Sequence, residues 1–186
     1  MLILYAVHAT HVPPPVTANE FSRNRIEDLE AFQETERWFD RRQFVDEALR
    51  RIDQGMQLYT CVRDGVLLHF AWMVPRQSET TFTYVHQQHR FEPGTAVLFN
   101  AYTHPRARGQ GLHERSMRRR IADALALPGT SQVVAAFEST NHVSRGVAER
   151  CGMQPEIVFY ERIRLGRRTA GSMRAAEPGS PWAAPS

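Results

Sequence analysis

A short glycine-rich segment between a strand pattern and a helix pattern constrains the fold of this chain more than any other feature. Residues 96–102 are apolar and rich in β-forming side chains, whereas residues 112–127 consist mainly of helix formers. Between them, residues 106–111 have the sequence Arg-Ala-Arg-Gly-Gln-Gly. Backbone N–H groups of such a turn can point at an anion, and the positive end of the following helix adds to the attraction. The segment therefore predicts a loop that binds a diphosphate.

The spacing of the two glycines excludes the two commonest nucleotide-binding loops. The third glycine of the dinucleotide fingerprint is missing, and so is the Gly-Lys-Ser/Thr ending of a Walker loop. What remains is Arg106-x-x-Gly109-x-Gly111 after a strand. Taken alone, this pattern also fits an ordinary solvated turn at the start of a helix.

A second strand–helix junction follows further along the chain. Residues 131–138 have the pattern of a buried strand, and the Ser-Thr-Asn sequence at 139–141 supplies N-cap chemistry for a helix. The array Asn141-x-x-Ser144 is then followed by Glu-Arg-Cys-Gly-Met at 149–153, whose glycine is suited to end that helix. Two ordered junctions of this kind are harder to obtain by chance than one.

The two junctions together resemble the GNAT superfamily of N-acetyltransferases, with the resemblance extending over about residues 57–165. It implies an α/β (α+β) fold, with a mixed, mostly antiparallel sheet that splays at its centre and helices on both faces. It implies acetyl-CoA as acyl donor, with the pyrophosphate on the amides of residues 107–112 and the pantetheine along the strand edge before them. The residues that it assigns to acyl-CoA binding are Ala101, Tyr102, Thr103, Arg106, Ala107, Arg108, Gly109, Gln110, Gly111, Leu112, Asn141 and Ser144. Asn141 equally fits a plain helix N-cap.

The order of the remaining elements agrees with that fold. Hydrophobic periodicity predicts a meander first and β-α-β-α-β afterwards. The predicted strands are 2–7, 57–62, 66–74, 95–104, 131–138 and 155–164, with a strand or flap at 80–86, and the predicted helices are 26–39, 44–52, 110–126 and 141–151. We expect a single domain over residues 1–166 and a disordered tail over 167–186, basic at first and then rich in Pro, Gly, Ala and Ser.

Composition restricts the cellular location and the partners that we expect for such a domain. The 186 residues carry a net charge of +3, and no apolar run approaches the length of a membrane span. Two cysteines are too few for a disulfide framework and favour a reducing cytoplasm. The basic tail lacks the interleaved aromatic residues of a nucleic-acid site. We therefore expect a cytoplasmic monomer or homodimer with no specific nucleic acid or membrane partner.

The catalytic groups are less clearly marked. A primary amine must lose a proton before it attacks a thioester, and Glu138, at the end of a buried strand, is the first candidate base. In many GNAT proteins a tyrosine seven residues after the asparagine protonates the departing thiolate, but here that position is Ala148. Tyr160 and Tyr102 are candidate replacements, although each also fits an ordinary strand tyrosine.

Two further sequence features were assigned no role in the chemistry. The pairs His8/His11 and His86/His89 lack the further ligands that zinc requires, so we predict no metal. Three consecutive arginines at 118–120 predict a solvated helix face, because adjacent residues point in different directions, and contact of one of them with the 3′-phosphate of CoA is the alternative.

The acceptor is the least determined part of the prediction. Aromatic and polar residues outside the glycine-rich segment suit a small polar amine, and likeness around residues 65–113 to GNAT proteins of glycan biosynthesis suggests an amino sugar or glycan precursor. A protein or peptide amine is the alternative acceptor. A non-catalytic acyl-CoA sensor is the alternative function.

Overall fold

The computed structural model describes residues 1–10, 20–35, 40–164 and 167–175, except for the side chains of residues 163, 164 and 167. The proline-rich segment at 11–15 and Trp38 lie outside the described residues. The helices are α1 (Arg41–Asp53), α2 (Leu112–Leu125) and α3 (His142–Arg150). The strands are β1 (Leu2–His8), β2 (Ser22–Arg23), β3 (Gln57–Arg63), β4 (Val66–Val74), β5 (Glu79–Phe82), β6 (Gln87–Arg90), β7 (Thr95–Thr103), β8 (Gln132–Glu138), β9 (Gln154–Arg164) and β10 (Arg167–Arg174).

Eight of the strands form one mixed sheet in the order β10-β9-β1-β8-β7-β4-β3-β2, and β5 and β6 form a separate hairpin. Among the described strands, β7 and β8 are the one parallel pair, and the other pairs are antiparallel. A parallel pair needs a long crossover, which α2 supplies. The mostly antiparallel mixed sheet confirms the predicted fold class.

Helices cover both faces of the sheet. On one face, α2 packs through Leu112, Met117 and Ile121, and α3 packs through Val147. On the opposite face, α1 packs its Phe44 against the central strands. Residues four apart lie on one side of a helix, so the single apolar stripe of each helix is buried against the sheet.

The segment predicted as a first helix is shorter than expected. Residues 26–31 form a 3₁₀ turn without a side-chain cap, and residues 36–39 are not described. Asp28 of this turn accepts a hydrogen bond from the Thr60 hydroxyl, and Leu29 and Phe32 pack in the core. Contacts with the sheet, rather than intrinsic helix formation, hold this segment.

Part of the segment predicted as a disordered tail is ordered. Residues 167–174 form β10, which pairs antiparallel with β9 along its whole length. Arg168 also forms an ion pair with Glu161 at 2.6 Å. The free edge of β9 explains the difference, because its backbone groups gain partners when the chain turns back along it. Residues 176–186 lie outside the described residues.

We predict that Gly94→Ala destabilises the domain more than Gly55→Ala. Both glycines have a left-handed backbone, with φ of +83° and +81°, so each substitution introduces strain of about 1–2 kcal/mol. At Gly94 the new Cβ would also lie 2.5 Å from the backbone oxygen of Gly129, whereas nothing lies within 4 Å at Gly55. Urea denaturation measures both losses. Equal losses would contradict the packing around Gly94.

Candidate functional site

The strands β7 and β8 separate part of the way along their length. Their parallel pairing runs from Thr95 opposite Gln132 to Leu98 opposite Ala135 and goes no further. Beyond Leu98 and Ala135, a point that we call the fork, Phe99 to Thr103 face β8 without a strand partner on that side. The sheet therefore opens at its centre, as the resemblance implied.

A β-bulge in β7 accompanies the fork. Phe70 and Trp72 of β4 lie opposite Tyr102 and Phe99 of β7, so β7 has one more residue than β4 in this stretch. Asn100, inside the bulge, has a positive φ of 45°. A bulge bends its strand and increases the local twist, which turns the end of β7 away from β8.

A cleft of about 630 Å³ lies at the fork, between α2 and α3. It is formed by the separated strand ends, the loop before α2, the inner side of α2 and the start of α3. Its lining residues are Leu98, Phe99, Asn100, Ala101, Thr103, Ala107, Arg108, Gly109, Gly111, Leu112, His113, Glu114, Met117, Arg120, Ala135, Ala136, Phe137, Asn141, Val143, Ser144, Val147 and Arg150. Nine of the residues assigned to acyl-CoA binding by sequence are among them.

The loop over residues 106–112, which we call the glycine loop, lies at the open end of the cleft. Gly109 and Gly111 have φ of +77° and +74°, and the space beside Gly109 is open. Gly111 is the N-cap of α2 and provides no side-chain cap, so the first N–H groups of the helix are not capped by it. The glycine loop therefore has the backbone geometry of an anion site at a helix N-terminus.

Side chains fix the shape of the glycine loop from outside. The Arg106 N–H donates to His104 Nδ1 at 3.2 Å, so this amide already has a partner within the loop. Arg115 Nη1 donates to the Gln110 carbonyl at 2.7 Å, and Gln110 Nε2 donates to the Arg106 carbonyl at 3.0 Å. Arg106 and Gln110 do not line the cleft, although both were assigned to acyl-CoA binding.

Asn141 and Ser144 lie on the other side of the cleft. The Ser144 N–H donates to Asn141 Oδ1 at 3.1 Å, which makes Asn141 the N-cap of α3. Both residues also line the cleft. The two roles that the sequence left open for Asn141 are therefore compatible in one position.

The three residues considered for catalysis lie away from the cleft lining. Tyr102 stacks on Phe70 on the α1 face, and its hydroxyl is hydrogen-bonded to that of Thr35. Glu138 is exposed at the end of β8, next to Leu2 of β1. Tyr160 is on β9. Their catalytic roles stay predictions.

An arginine that the sequence placed on a solvated face is instead buried in the site. Arg120 is 1% exposed and lines the cleft on the inner side of α2. Its neighbours Arg118 and Arg119 form ion pairs with Glu114 and Asp123, both at 2.9 Å. The helical period predicts the burial of Arg120, because this residue follows the buried Met117 by three positions and precedes the buried Ile121 by one.

Two histidines lie beside this arginine under the glycine loop. The rings of His69 and His113 have centroids 6.0 Å apart, and His69 Nδ1 is hydrogen-bonded to the Thr103 hydroxyl at 2.9 Å. Burial, and secondarily the charge of Arg120, lowers the pKa of His113 to about 4. The same causes hold the pKa of His69 well below its usual value. Both imidazoles are therefore neutral at neutral pH.

An ion pair crosses the mouth of the cleft from α2 to α3. Arg150 Nε lies 2.8 Å from Glu114 Oε2, and Arg118 binds the other oxygen of the same carboxylate. Hydrogen bonds from these two arginines lower the pKa of Glu114. The carboxylate ties the two helices together on the solvent side.

A second pocket lies across the sheet from the cleft, beside α1. It has a volume of about 450 Å³ and shares Asn100 with the cleft. Trp72 and Phe70 line it, and Glu47 of α1 forms ion pairs there with Arg50 and Arg51. The cleft and this pocket therefore both border the bulge of β7.

Two kinds of feature are missing from the described part of the chain. Within it, no group of three or more His, Cys, Asp or Glu side chains is arranged to hold a metal ion. None of its helices has the length and apolar character required to cross a membrane.

We predict that the protein loses stability as the pH falls from about 6.5 to 4. In this window the unfolded chain takes up a proton at His113 and at His69, whereas the folded chain does not, because burial lowers both pKa values. Each such proton contributes a slope of at most ~1.4 kcal/mol per pH unit, with the higher stability at the higher pH. Urea denaturation at several pH values should show a smaller slope for His113→Gln. An unchanged slope, as expected for the exposed control His142→Gln, would contradict the burial of His113.

Comparisons with solved structures agree with this geometry. An acetyltransferase of the GNAT family from Colwellia psychrerythraea aligns with a TM-score of 0.59 at 15% identity, covering 83% of this chain and 52% of that one. A ribosomal-protein-alanine N-acetyltransferase from Brucella melitensis aligns with a TM-score of 0.55 at 17% identity, over 83% of this chain and 98% of that one. An aminoglycoside N-acetyltransferase solved in complex with CoA aligns with a TM-score of 0.52 at 16% identity, over 77% and 98%. At these identities the likeness concerns the fold.

The sequence itself was compared with protein families and with curated proteins. No curated protein matches the chain. This chain spans about half of the Colwellia protein's length. The family model of the GNAT acetyltransferase domain matches residues 15–154, which is most of the chain. The chain therefore belongs to the GNAT acetyltransferase family.

Proposed function

We propose that the protein transfers an acetyl group from acetyl-CoA to the primary amine of a small molecule. The observation that carries this proposal is the fork, with the glycine loop at its open end and the second pocket behind it. Unpaired backbone groups of β7 suit the amide groups of a pantetheine arm, and the glycine loop suits a diphosphate. An acyl-CoA contains both groups in one chain.

The donor would extend from the glycine loop inward along β7. Amides of residues 107–112 would hold the pyrophosphate, and Arg108 and Arg106 would add positive charge. Ala101 and Thr103, which line the cleft, would face the pantetheine from one side, and Asn141 and Ser144 would face it from the other. The thioester would then lie near the bulge, within reach of a backbone N–H that could stabilise the tetrahedral oxyanion.

The acceptor would occupy the second pocket beside α1. Its lining combines aromatic rings with the ion pairs that Glu47 forms with Arg50 and Arg51, which suits a polar molecule such as an amino sugar. Its volume of about 450 Å³ falls within the ~300–1,000 Å³ range of small-molecule pockets. Since the pocket meets the cleft at Asn100, the amine could attack the thioester from the opposite side of the sheet.

The reaction requires one proton to leave the amine. We propose Glu138 as the base, acting through water, because it ends the strand that forms one side of the fork. Tyr102 and Tyr160 are the proposed donors of a proton to the thiolate, and the contacts of Tyr102 with Phe70 and Thr35 support a structural role equally well. Ala148, at the usual tyrosine position, is fully buried and has no titratable group.

The absence of a tyrosine at residue 148 also favours a second candidate function, a non-catalytic acyl-CoA sensor. A panel of amino sugars, polyamines and N-terminal peptides, each mixed with acetyl-CoA and a thiol reagent, separates the candidates. Thiol release with an amino sugar supports the proposed enzyme, and release only with peptides indicates a peptide acetyltransferase. Thermal stabilisation by acetyl-CoA without any release indicates a sensor.

We predict that Gly109→Glu abolishes acetyl-CoA binding, measured by isothermal titration calorimetry. The substitution places a negative charge in the open space beside Gly109, where the pyrophosphate would lie. The matched control is Gly109→Asn, because asparagine tolerates the left-handed backbone and carries no charge. Equal acetyl-CoA affinity of the wild-type protein and Gly109→Glu would refute the pyrophosphate site.

We predict that Glu138→Gln lowers kcat by roughly 10²-fold while leaving the acetyl-CoA Kd nearly unchanged, since general bases contribute about 10²–10⁴-fold. Steady-state kinetics between pH 6 and 9 with an active amine provide the test. Glu156→Gln, which removes an exposed carboxylate paired with His8 at 2.6 Å, is the control. Retained activity across this pH range would remove Glu138 as the base.

A further inference from the structure

Arg120 is a buried cation without an anionic partner among the described residues. Its Nε donates to the Ser116 carbonyl at 3.4 Å and its Nη1 donates to the Trp72 carbonyl at 3.0 Å. Its Nη2 has no hydrogen-bond partner in the described part of the chain. Burying an unpaired charge is unfavourable by several kcal/mol, whereas an apolar residue of similar size would fit between Met117 and Ile121 at no such cost. A buried cation without an anionic partner is typical of a site that binds an anion.

The surroundings of Arg120 are the inner end of the cleft. Trp72, which accepts its hydrogen bond, lies opposite Phe99, the first residue of β7 beyond the fork. Arg120 lines the cleft together with Leu98 and Ala135, the two residues at which the fork begins. The glycine loop lies beyond the other end of β7, whose residues from Phe99 to Thr103 span roughly 13 Å at ~3.3 Å per strand residue.

This separation determines which part of an acyl-CoA would approach Arg120. If the proposed function holds, the pyrophosphate occupies the glycine loop and the pantetheine follows β7, so the sulfur and the acyl group reach the fork. The other cations that line the cleft, Arg108 and Arg150, are exposed near its mouth. Arg120 is thus the cleft-lining cation nearest to the reacting end of the donor.

We propose that Arg120 stabilises the departing CoA thiolate, in place of the proton-donating tyrosine that is missing at Ala148. This inference rests on the proposed function. Nη2 is the donor that has no partner in the described part of the chain, and because it is buried, the sulfur would reach it only with the ligand at the inner end of the cleft. A fixed guanidinium lowers the energy of a nearby thiolate, as it lowers thiol pKa values in other proteins, and it needs no proton transfer.

The step balances without a general acid, so it does not require proton donation by Tyr102 or Tyr160. The amine nitrogen forms a bond to the thioester carbon, and the carbonyl electron pair moves onto oxygen. When the electron pair on oxygen re-forms the carbonyl bond, the C–S bond breaks and sulfur leaves as a thiolate beside Arg120. The proton lost by the nitrogen passes to the base or to water, and the thiolate takes a proton from solvent after release.

The titratable groups around Arg120 are His69 of β4, Tyr59 of β3, His113 of α2 and Cys151 after α3. Burial raises the pKa of Cys151 to about 11 and raises that of Tyr59 further. Burial lowers the pKa of both histidines. All four are therefore neutral between pH 7 and 9, so a bound thiol would be the titrating group near Arg120 in this range.

Binding of CoA and of desulfo-CoA, compared by calorimetry between pH 6 and 9, tests the inference. Free CoA has a thiol pKa of ~8.5, and each unit by which the protein lowers it strengthens CoA binding about tenfold at high pH. We expect the wild-type affinity for CoA to rise about 10- to 100-fold over this range and the affinity for desulfo-CoA to stay flat. Arg120→Met should abolish the rise, Arg120→Lys should retain part of it, and the control Arg119→Met should retain all of it.

The same variants are tested for activity and folding. Arg120→Met should remain folded, because replacing a buried charge by an apolar residue is often neutral or stabilising. If Arg120→Met does not fold, Arg120→Gln is tested in its place. We expect kcat to fall about 10²–10³-fold. If CoA binding by the uncharged variants depends on pH as it does in the wild-type protein, the role of Arg120 is overturned and the proposed function is unaffected. Failure of the wild-type protein to bind acetyl-CoA would overturn the proposed function and this inference together.

Discussion

The separation of β7 from β8 is the constraint on which the rest of this structure depends. Pairing that ends at Leu98 and Ala135 leaves backbone N–H and C=O groups along one edge of β7 at the centre of a sheet. The Thr103 carbonyl accepts a hydrogen bond from Arg108 Nε at 3.2 Å, and a ligand with amide groups could pair with other groups of this edge. The bulge at Asn100 maintains the gap by bending β7.

The inner side of α2, which borders this opening, carries polar residues where a core is usually apolar. An apolar helix face would have been the simplest way to cover the sheet, yet His113, Ser116 and Arg120 all lie on it, and each has a buried polar atom without a partner among the described residues. These groups reduce stability, most clearly at acidic pH for the histidine. Residues that break the rules of core packing concentrate where function requires them, and here they border the cleft.

The parts predicted correctly from sequence are those encoded locally. The glycine loop and the capped start of α3 follow from short patterns of glycine, arginine and asparagine at the ends of apolar runs, and they fix the parallel pair and the fork. The burial of Arg120 was missed because three consecutive arginines were assessed as a group, although only one of them falls on the buried side of α2. The pairing of β10 with β9 was missed because it depends on an unpaired edge that sequence periodicity does not reveal.

Hydrogen–deuterium exchange of the backbone amides, with and without acetyl-CoA, tests the central claim most directly. The account predicts that the ligand protects residues 107–112 and the β7 edge beyond the fork, while β9 and β10 exchange as before. Protection that is absent from both segments, or confined to a distant part of the molecule, would contradict the claim that acetyl-CoA binds in the fork.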